Sequence, residues 1–363
     1  MKGLLLAGGR GTRLRPLTFT GNKHMLPVAN RPILYWGLDH LREAGIEEVG
    51  IVLGPLREGI EAGVGDGSTF GLKVTYIQQG EPKGLAHAIL CSRDFLGDDP
   101  FLMYLGDNML EHGLRPYVER FARGDASAVV GAVPVRDASH YGVVELGSKD
   151  QIVSIEEKPS SPKSDLALIG AYLFSPEVHD VVRGLQPSSR GELEITDAIR
   201  GLEERTHRVR VLHLDGWWKD TGRPEDLLEA NERVLASRPR SFFVASGHVD
   251  PAAHVSGHVG LAAGAVIGPG CTVRGPAVLG EGVRIEEGAY VGPYTSIGKG
   301  SVVRRAEIER SILMEEVQVD VGLRIIDSIL GRGCRVVERE RTPRGAAFVM
   351  GDAGKVVLPS PRD

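Results

Sequence analysis

The residues most suited to chemistry are Leu6-Ala-Gly-Gly-Arg-Gly-Thr-Arg13-Leu-Arg-Pro16, directly behind the first apolar run. Gly8, Gly9 and Gly11 let backbone N–H groups approach a polyphosphate, while Thr12 and Arg13 add a hydroxyl and a charge. The run is not a dinucleotide fingerprint, because Leu14 stands where a third glycine belongs. Nor does Gly-Lys-Ser/Thr follow to make a Walker loop. Such a turn alone is as readily structural; Lys23, ten residues on, favours phosphate. A second candidate is Asp107 in Leu105-Gly-Asp-Asn108, at the end of an apolar run. A carboxylate there suits Mg²⁺, which takes one or two carboxylates plus substrate phosphates, and suits a turn or helix cap equally well. Its chosen partner is Asp220 in Trp217-Trp-Lys-Asp-Thr-Gly222, where the tryptophans read either as a dry pocket wall or as core plus turn. Glu156-Glu-Lys-Pro159 closes a strand, and its ordinary reading is a solvated charged end. Gln79, in Gln79-Gly-Glu-Pro-Lys-Gly84-Leu-Ala-His87, can both donate to and accept from a nucleobase edge.

These residues need elements to hold them. Strands are expected at Gly3–Ala7, Val49–Leu53, Leu72–Ile77 and Phe101–Leu105, with helices at 32–44 and 84–95 between them. Strands separated by helices imply βαβ units, a parallel sheet and ligand sites at the strands' carboxyl ends. After Ser127 strands dominate, at 128–135, 141–146, 152–157 and 168–174, and helices at 193–204 and 224–236 close this part.

From about residue 250 an aliphatic residue recurs every sixth position: Val255, Leu261, Ile267, Val273, Leu279, Ile285, Val291, Ile297 and Val303. The phase slips and resumes at Leu313, Val319 and Ile325, which reads as a longer turn at 304–312. A hexapeptide period marks a parallel β-helix with about three repeats per coil. It also accounts for part of the glycine excess, 48 in 363 residues against an average of ~7%. Net charge is −5, which argues against a dedicated nucleic-acid or anionic-membrane binder. Three scattered cysteines form no CxxC pair and fit a reducing cytoplasm. No stretch approaches the ~20 apolar residues of a membrane span.

Together these stretches resemble the sugar-1-phosphate nucleotidylyltransferases, over nearly the whole chain. The run at 8–16 carries the superfamily signature. Asn22-Lys-His-Met-Leu-Pro27, Gly191-Glu-Leu-Glu-Ile-Thr-Asp197 and Trp218-Lys-Asp-Thr-Gly222 are similar to the thymidylyl branch, whose long form adds a hexapeptide-repeat domain. The resemblance implies an α/β fold: a Rossmann-like mixed-sheet nucleotidyltransferase domain over 1–240, then a left-handed parallel β-helix over 241–363. It implies dTTP and glucose 1-phosphate as partners, with Leu6, Gly8, Gly9, Gly11, Thr12, Arg13 and Lys23 on the triphosphate and Gln79 and Gly84 on the base. Asp107 and Asp220 would bind Mg²⁺, Asp107 also serving the nucleotide. Tyr141, Gly142, Glu157, Lys158, Tyr172 and Trp218 would line the sugar-phosphate pocket, with Arg13, Lys23 and Lys158 catalytic. His24 stands where short-form relatives usually carry Gln and receives no role, and the loop at 80–83 departs from theirs.

The expected chemistry is in-line attack of the sugar phosphate on the α-phosphorus, driven by positioning and charge stabilisation. Alternatives are another base or sugar, such as UTP or an amino-sugar 1-phosphate, a bifunctional sugar acetyltransferase, and a non-catalytic regulatory subunit. Against the acetyltransferase, all eleven histidines lie at or before His258. The bland role of the β-helix is packing between subunits, so a homo-oligomer is expected.

Overall fold

The computed structural model describes residues 1–148 and 150–338; residues 339–363, the end of the expected second domain, lie outside the described residues. The first part is built on a nine-stranded mixed sheet. Its path runs Ile152–Glu157, Gly142–Leu146, Leu166–Phe174, Phe101–Leu105, Lys2–Ala7, Glu48–Leu53 and Lys73–Gln78. Ala128–Pro134 pairs with Leu166–Phe174 and with Val209–His213. The first strand is parallel to both neighbours, with Leu4 opposite Gly50 and Met103. Leu166–Phe174 runs antiparallel to Phe101–Leu105 and Ala128–Pro134.

A central parallel strand is covered on both faces, and so it reads as an unbroken apolar run rather than an alternation. Leu4 and Leu6 pack with Met103, Ala86, Ile89, Val182 and Ile199 on one face. Leu5 and Ala7 pack with Leu34, Leu38, Ile60 and Tyr117 on the other. Helix Ile33–Glu43 starts behind Pro32 and stops at Gly45, whose φ of 83° no side-chain-bearing residue adopts cheaply. There Gly45 N donates to Arg42 O and Ile46 N to Leu41 O, closing the last turn.

The helix expected over 84–95 is two pieces, Leu85–Cys91 and Arg93–Leu96. The break falls at Ser92, whose buried hydroxyl donates to Ala88 O at 2.7 Å. Such back-bonding competes with the helix's own ladder.

The second part is a parallel β-helix of three stacked sheets with six, five and five strands. The six-residue period is the wall repeat. Val255 pairs with Val273 and Val273 with Val291, one coil being eighteen residues. Leu261, Ile267, Val273, Leu279, Ile285, Val291, Ile297 and Val303 are all buried and form its core. The phase slip is not a longer turn. Val291 pairs with Ile308 and Ile297 with Leu313, so two successive steps, 303–308 and 308–313, are five residues each. Arg305 and Arg310 take positive φ (56° and 45°) within those shortened steps.

Between the two parts lies a shared apolar cluster. Leu14, Leu26, Val28 and Ile33 meet Leu227, Ala230 and Val234 of helix Pro224–Ser237, together with Val278 and Ile312 of the β-helix. Among the described residues no helix is long and apolar enough to cross a membrane.

Candidate active site

The glycine loop leaves the first strand at its carboxyl end and turns into a short 3-10 segment, Thr12–Leu14. Its small residues have an immediate use. A Cβ at Gly9 would lie 2.8 Å from Lys23 Cε, and one at Gly11, whose φ is +61°, would lie 2.9 Å from Lys23 Cβ. The aliphatic stem of Lys23 therefore lies across the loop, with its ammonium ion-paired to Asp107. Lys23 and Asp107 are both largely buried, with side-chain exposures of 13% and 14%. Burial alone would raise the Asp107 carboxyl; Lys23, together with hydrogen bonds from Lys23 and Asn108, holds it far below the usual carboxylate range.

Asp220 reaches the same place through a two-stranded ladder. Trp218–Asp220 runs antiparallel to Asn108–Leu110, with Asp220 opposite Asn108. Thr221 locks the register, donating from N and Oγ1 to Asp107 O at 3.0 and 2.7 Å. Side chains alternate along a strand. Lys219 accordingly leaves the other way, pairing with Asp226 at 2.8 Å and Glu229 at 2.7 Å. Arg13 lies against Gly222, where a Cβ would be 2.9 Å from its Nη2 and 3.4 Å from Asp220 Oδ1. Arg13, Lys23, Asp107 and Asp220 thus converge behind the glycine loop.

The donor set fits a divalent cation. Asp220 Oδ1 is buried with no partner. Burial and the Asp107 charge push its carboxyl up to about 7, against the pull of Lys23 and Arg13. A buried carboxylate held so unfavourably, with an orphaned oxygen, calls for positive charge. Among the described residues no three His, Cys, Asp or Glu side chains cluster into a complete ligand set. Two carboxylates with the remaining ligands from phosphate and water is the habit of Mg²⁺.

Gln79 stands on the other side of the loop. A Cβ at Gly8 would be 3.2 Å from Gln79 Oε1, while Gln79 Nε2 donates to Gly84 O at 3.2 Å. Gly84, at φ +101°, is pressed against the Leu193 carbonyl, which accepts from Ala86 N at 3.1 Å. The 191–197 run therefore buttresses the segment carrying Gln79.

A second group gathers around Glu157. Thr196 Oγ1 donates to Glu157 Oε2 at 3.2 Å, and a Cβ at Gly142 would be 3.4 Å from the same oxygen. Lys158, at a left-handed φ of 44°, hangs from Tyr141 O by its backbone N–H at 3.0 Å, its ammonium 3.7 Å from Glu157. Tyr141 meets Trp218 edge-on at 5.4 Å. Tyr172 lies deeper, 4% exposed in the sheet core and stacked on Phe174. Burial and then the Glu157 charge raise its phenol.

Two residues here were not singled out from the sequence. Asn108 joins the groups: its Oδ1 accepts from Trp218 Nε1 at 2.6 Å and Gly170 N at 3.2 Å, and its Nδ2 donates to Asp107 at 3.1 Å. Arg190 bridges Glu157 at 3.1 Å, Glu192 at 3.1 Å and Glu194 at 3.4 Å. Asn108's place directly beside Asp107 was its only signal; Arg190 carried none. His24, 2% exposed, is held neutral: burial and Lys23 lower it to about 3, and its Nδ1 sits 2.6 Å from Asn22 Oδ1.

A family model described as nucleotidyl transferase matches residues 2–237, and one described as GMPPB C-terminal domain matches residues 273–356. The chain is 46% identical to a glucose-1-phosphate thymidylyltransferase of Streptomyces griseus, covering 99% of this chain and 100% of the relative. It is 45% identical, at the same coverage, to a low-salt glycan biosynthesis nucleotidyltransferase of Haloferax volcanii. Among solved structures, UDP-glucose pyrophosphorylase complexed with UDP-glucose matches at 27% identity and a TM-score of 0.59, over 65% of this chain and 99% of that one. The chain belongs to the nucleotidyl transferase family and is a sugar-1-phosphate nucleotidyltransferase with a C-terminal β-helix.

Proposed function

We propose that the chain transfers a thymidylyl group from dTTP to glucose 1-phosphate, giving dTDP-glucose and pyrophosphate. The observation that carries this reading is the convergence of Arg13, Lys23, Asp107 and Asp220 behind the glycine loop, with Gln79 beside Gly8. The full-length Streptomyces griseus relative supports the choice of base and sugar. A sugar-phosphate oxygen attacks the α-phosphorus in line, and the bond to pyrophosphate breaks. That oxygen is already ionised, so no general base is needed and the protein supplies position and charge. Lys158, tethered between Tyr141 and Glu157, orients the sugar phosphate. Arg13 offsets charge developing on the α-phosphoryl and the leaving pyrophosphate, and Lys23 assists on the nucleotide side. Mg²⁺ held by Asp107 and Asp220 would supply further charge neutralisation at the nucleotide phosphates.

The reading divides the chain into a catalytic domain over 1–240 and a β-helix domain over 241–363. It places the enzyme in a reducing cytoplasm, which its three free cysteines suit, as a homo-oligomer checked by mass in solution. The deciding test is pyrophosphate release over a grid of nucleoside triphosphates and sugar 1-phosphates with Mg²⁺. dTTP with glucose 1-phosphate should have the highest kcat/KM; a higher value for UTP or for an amino-sugar 1-phosphate refutes the assignment.

A further inference from the structure

Six residues beyond Lys23, the hairpin formed by Pro27–Val28 and Arg31–Pro32 ends in the turn Ala29–Asn30. Both turn residues have positive φ, 52° and 60°. A two-residue hairpin turn places both residues there; asparagine adopts that region readily and alanine less so. Contacts from outside the hairpin also hold the turn. Ala29 N donates to Asn231 Oδ1 at 2.8 Å. Asn30 Nδ2 donates to Ile297 O at 2.8 Å and to Val278 O at 3.3 Å, on adjacent coils of the β-helix. Asn231, only 1% exposed, also accepts from Ser296 Oγ at 2.6 Å and donates to Tyr294 O at 2.9 Å. One buried amide thus ties the hairpin, helix Pro224–Ser237 and the β-helix together.

The apolar contacts follow the same route. Leu14, next to Arg13, and Leu26, close behind Lys23, belong to the cluster completed by Val278 and Ile312. Hydrogen bonds and packing make the Ala29 and Asn231 contacts, and beside them Arg310 of the β-helix pairs with Glu232 at 3.4 Å.

We propose that Asn231 and Asn30 are positioning residues through which the β-helix sets the place of the Lys23 side chain across Gly9 and Gly11. The inference rests on the reading of Lys23 as a group acting on the transferred nucleotide. It assigns the β-helix a task within its own chain, distinct from any packing between subunits. A displacement of about 1 Å at a catalytic group is enough to cost up to ~10²-fold in rate.

The test uses the full-length enzyme. Asn30→Gly keeps the turn, because glycine adopts positive φ readily, and removes both bonds to the β-helix. Asn231→Ala removes the central tie, and Lys23→Ala measures the group being positioned. In Asn30→Gly, kcat should fall roughly 10- to 100-fold, with KM for both substrates within about twofold and the enzyme still fully folded at the assay temperature despite a small fall in melting temperature. Asn231→Ala should lose at least as much. If both keep kcat within twofold of wild type while Lys23→Ala is severely impaired, the inference falls alone. If Lys23→Ala itself turns over normally, the functional reading falls and takes the inference with it. A rate loss in Asn30→Gly that merely tracks loss of folded protein also overturns it, and this variant decides the matter if Asn231→Ala does not fold.

Discussion

The surroundings of the glycine loop and the β-helix core both bury side chains, and they are built in opposite ways. Around the loop, the buried groups are polar and unevenly satisfied: Asp107 is held ionised, Asp220 keeps an orphaned oxygen, and His24 is held neutral. In the β-helix the interior is a column of mainly aliphatic side chains, and buried hydroxyls such as Ser301 are hydrogen-bonded. Its charges lie outside, as pairs between successive coils such as Lys299–Glu281, Arg304–Glu286 and Arg324–Glu309. One region concentrates electrostatic tension at a point, and the other repeats a low-energy unit. Damage to the first should therefore appear in rate, and damage to the second in stability.

The largest effect should come from Asp107→Asn, which removes a charge shared by Lys23 and the proposed cation. The expected loss in kcat is at least ~10²-fold, by analogy with removing one electrostatic stabiliser of a transition state. Pyrophosphate release at saturating substrate, with circular dichroism to confirm folding, checks it; near-normal turnover breaks the contrast. Next is Ile285→Ala, on a different wall of the β-helix from the one that accepts the Asn30 hydrogen bonds. Its side chain is fully buried, so truncation should cost about 2–5 kcal/mol in stability. Thermal unfolding measures this, and kcat per folded molecule should stay within about twofold of wild type if the two regions divide as argued. A large drop in kcat would show that packing throughout the β-helix, rather than its hydrogen-bonded contact, reaches the site.

The smallest effect concerns pH. His24 titrates near 3 in the folded chain, against 6.5 for the unperturbed ring. As pH falls the unfolded chain takes up the proton first, so the stability from this group is complete above 6.5 and drains away toward 3. Between pH 7.5 and 5 the loss should be about 2 kcal/mol. Melting curves of wild type and His24→Gln across this range isolate it, because other titrating groups are common to both. Equal slopes would mean that His24 accepts a proton while folded.

Much of this was legible because the signals are periodic or local. The aliphatic residues at step six specify a stack of coils, and the glycine run marks the turn behind the first strand. What stayed hidden depends on contacts distant in sequence. Arg190 acquires meaning only when folding brings Glu157 beside Glu194. The slip after Val303 looked like an inserted turn, since a skipped period shows only that the phase changed; the register reveals two shortened steps. Helix Glu58–Val64 and strand Val209–His213 are too short for their periodicity to rise above neighbouring residues. Asn231 is one asparagine within an amphipathic helix, and nothing local distinguishes it from a surface residue.

The tie at Asn231 also fixes an order of events during synthesis. Ser296 leaves the ribosome 65 residues after Asn231, a gap of roughly 3 to 13 s at ordinary elongation rates. Through that interval Leu26, Val28 and Leu227 have neither Val278 nor Ile312 fully in place to cover them. The newborn catalytic part is thus sticky on the side that later receives the β-helix. Slower translation beyond residue 240 would prolong that exposure, and the cell's chaperones would meet this face before the enzyme's own C-terminal coils do.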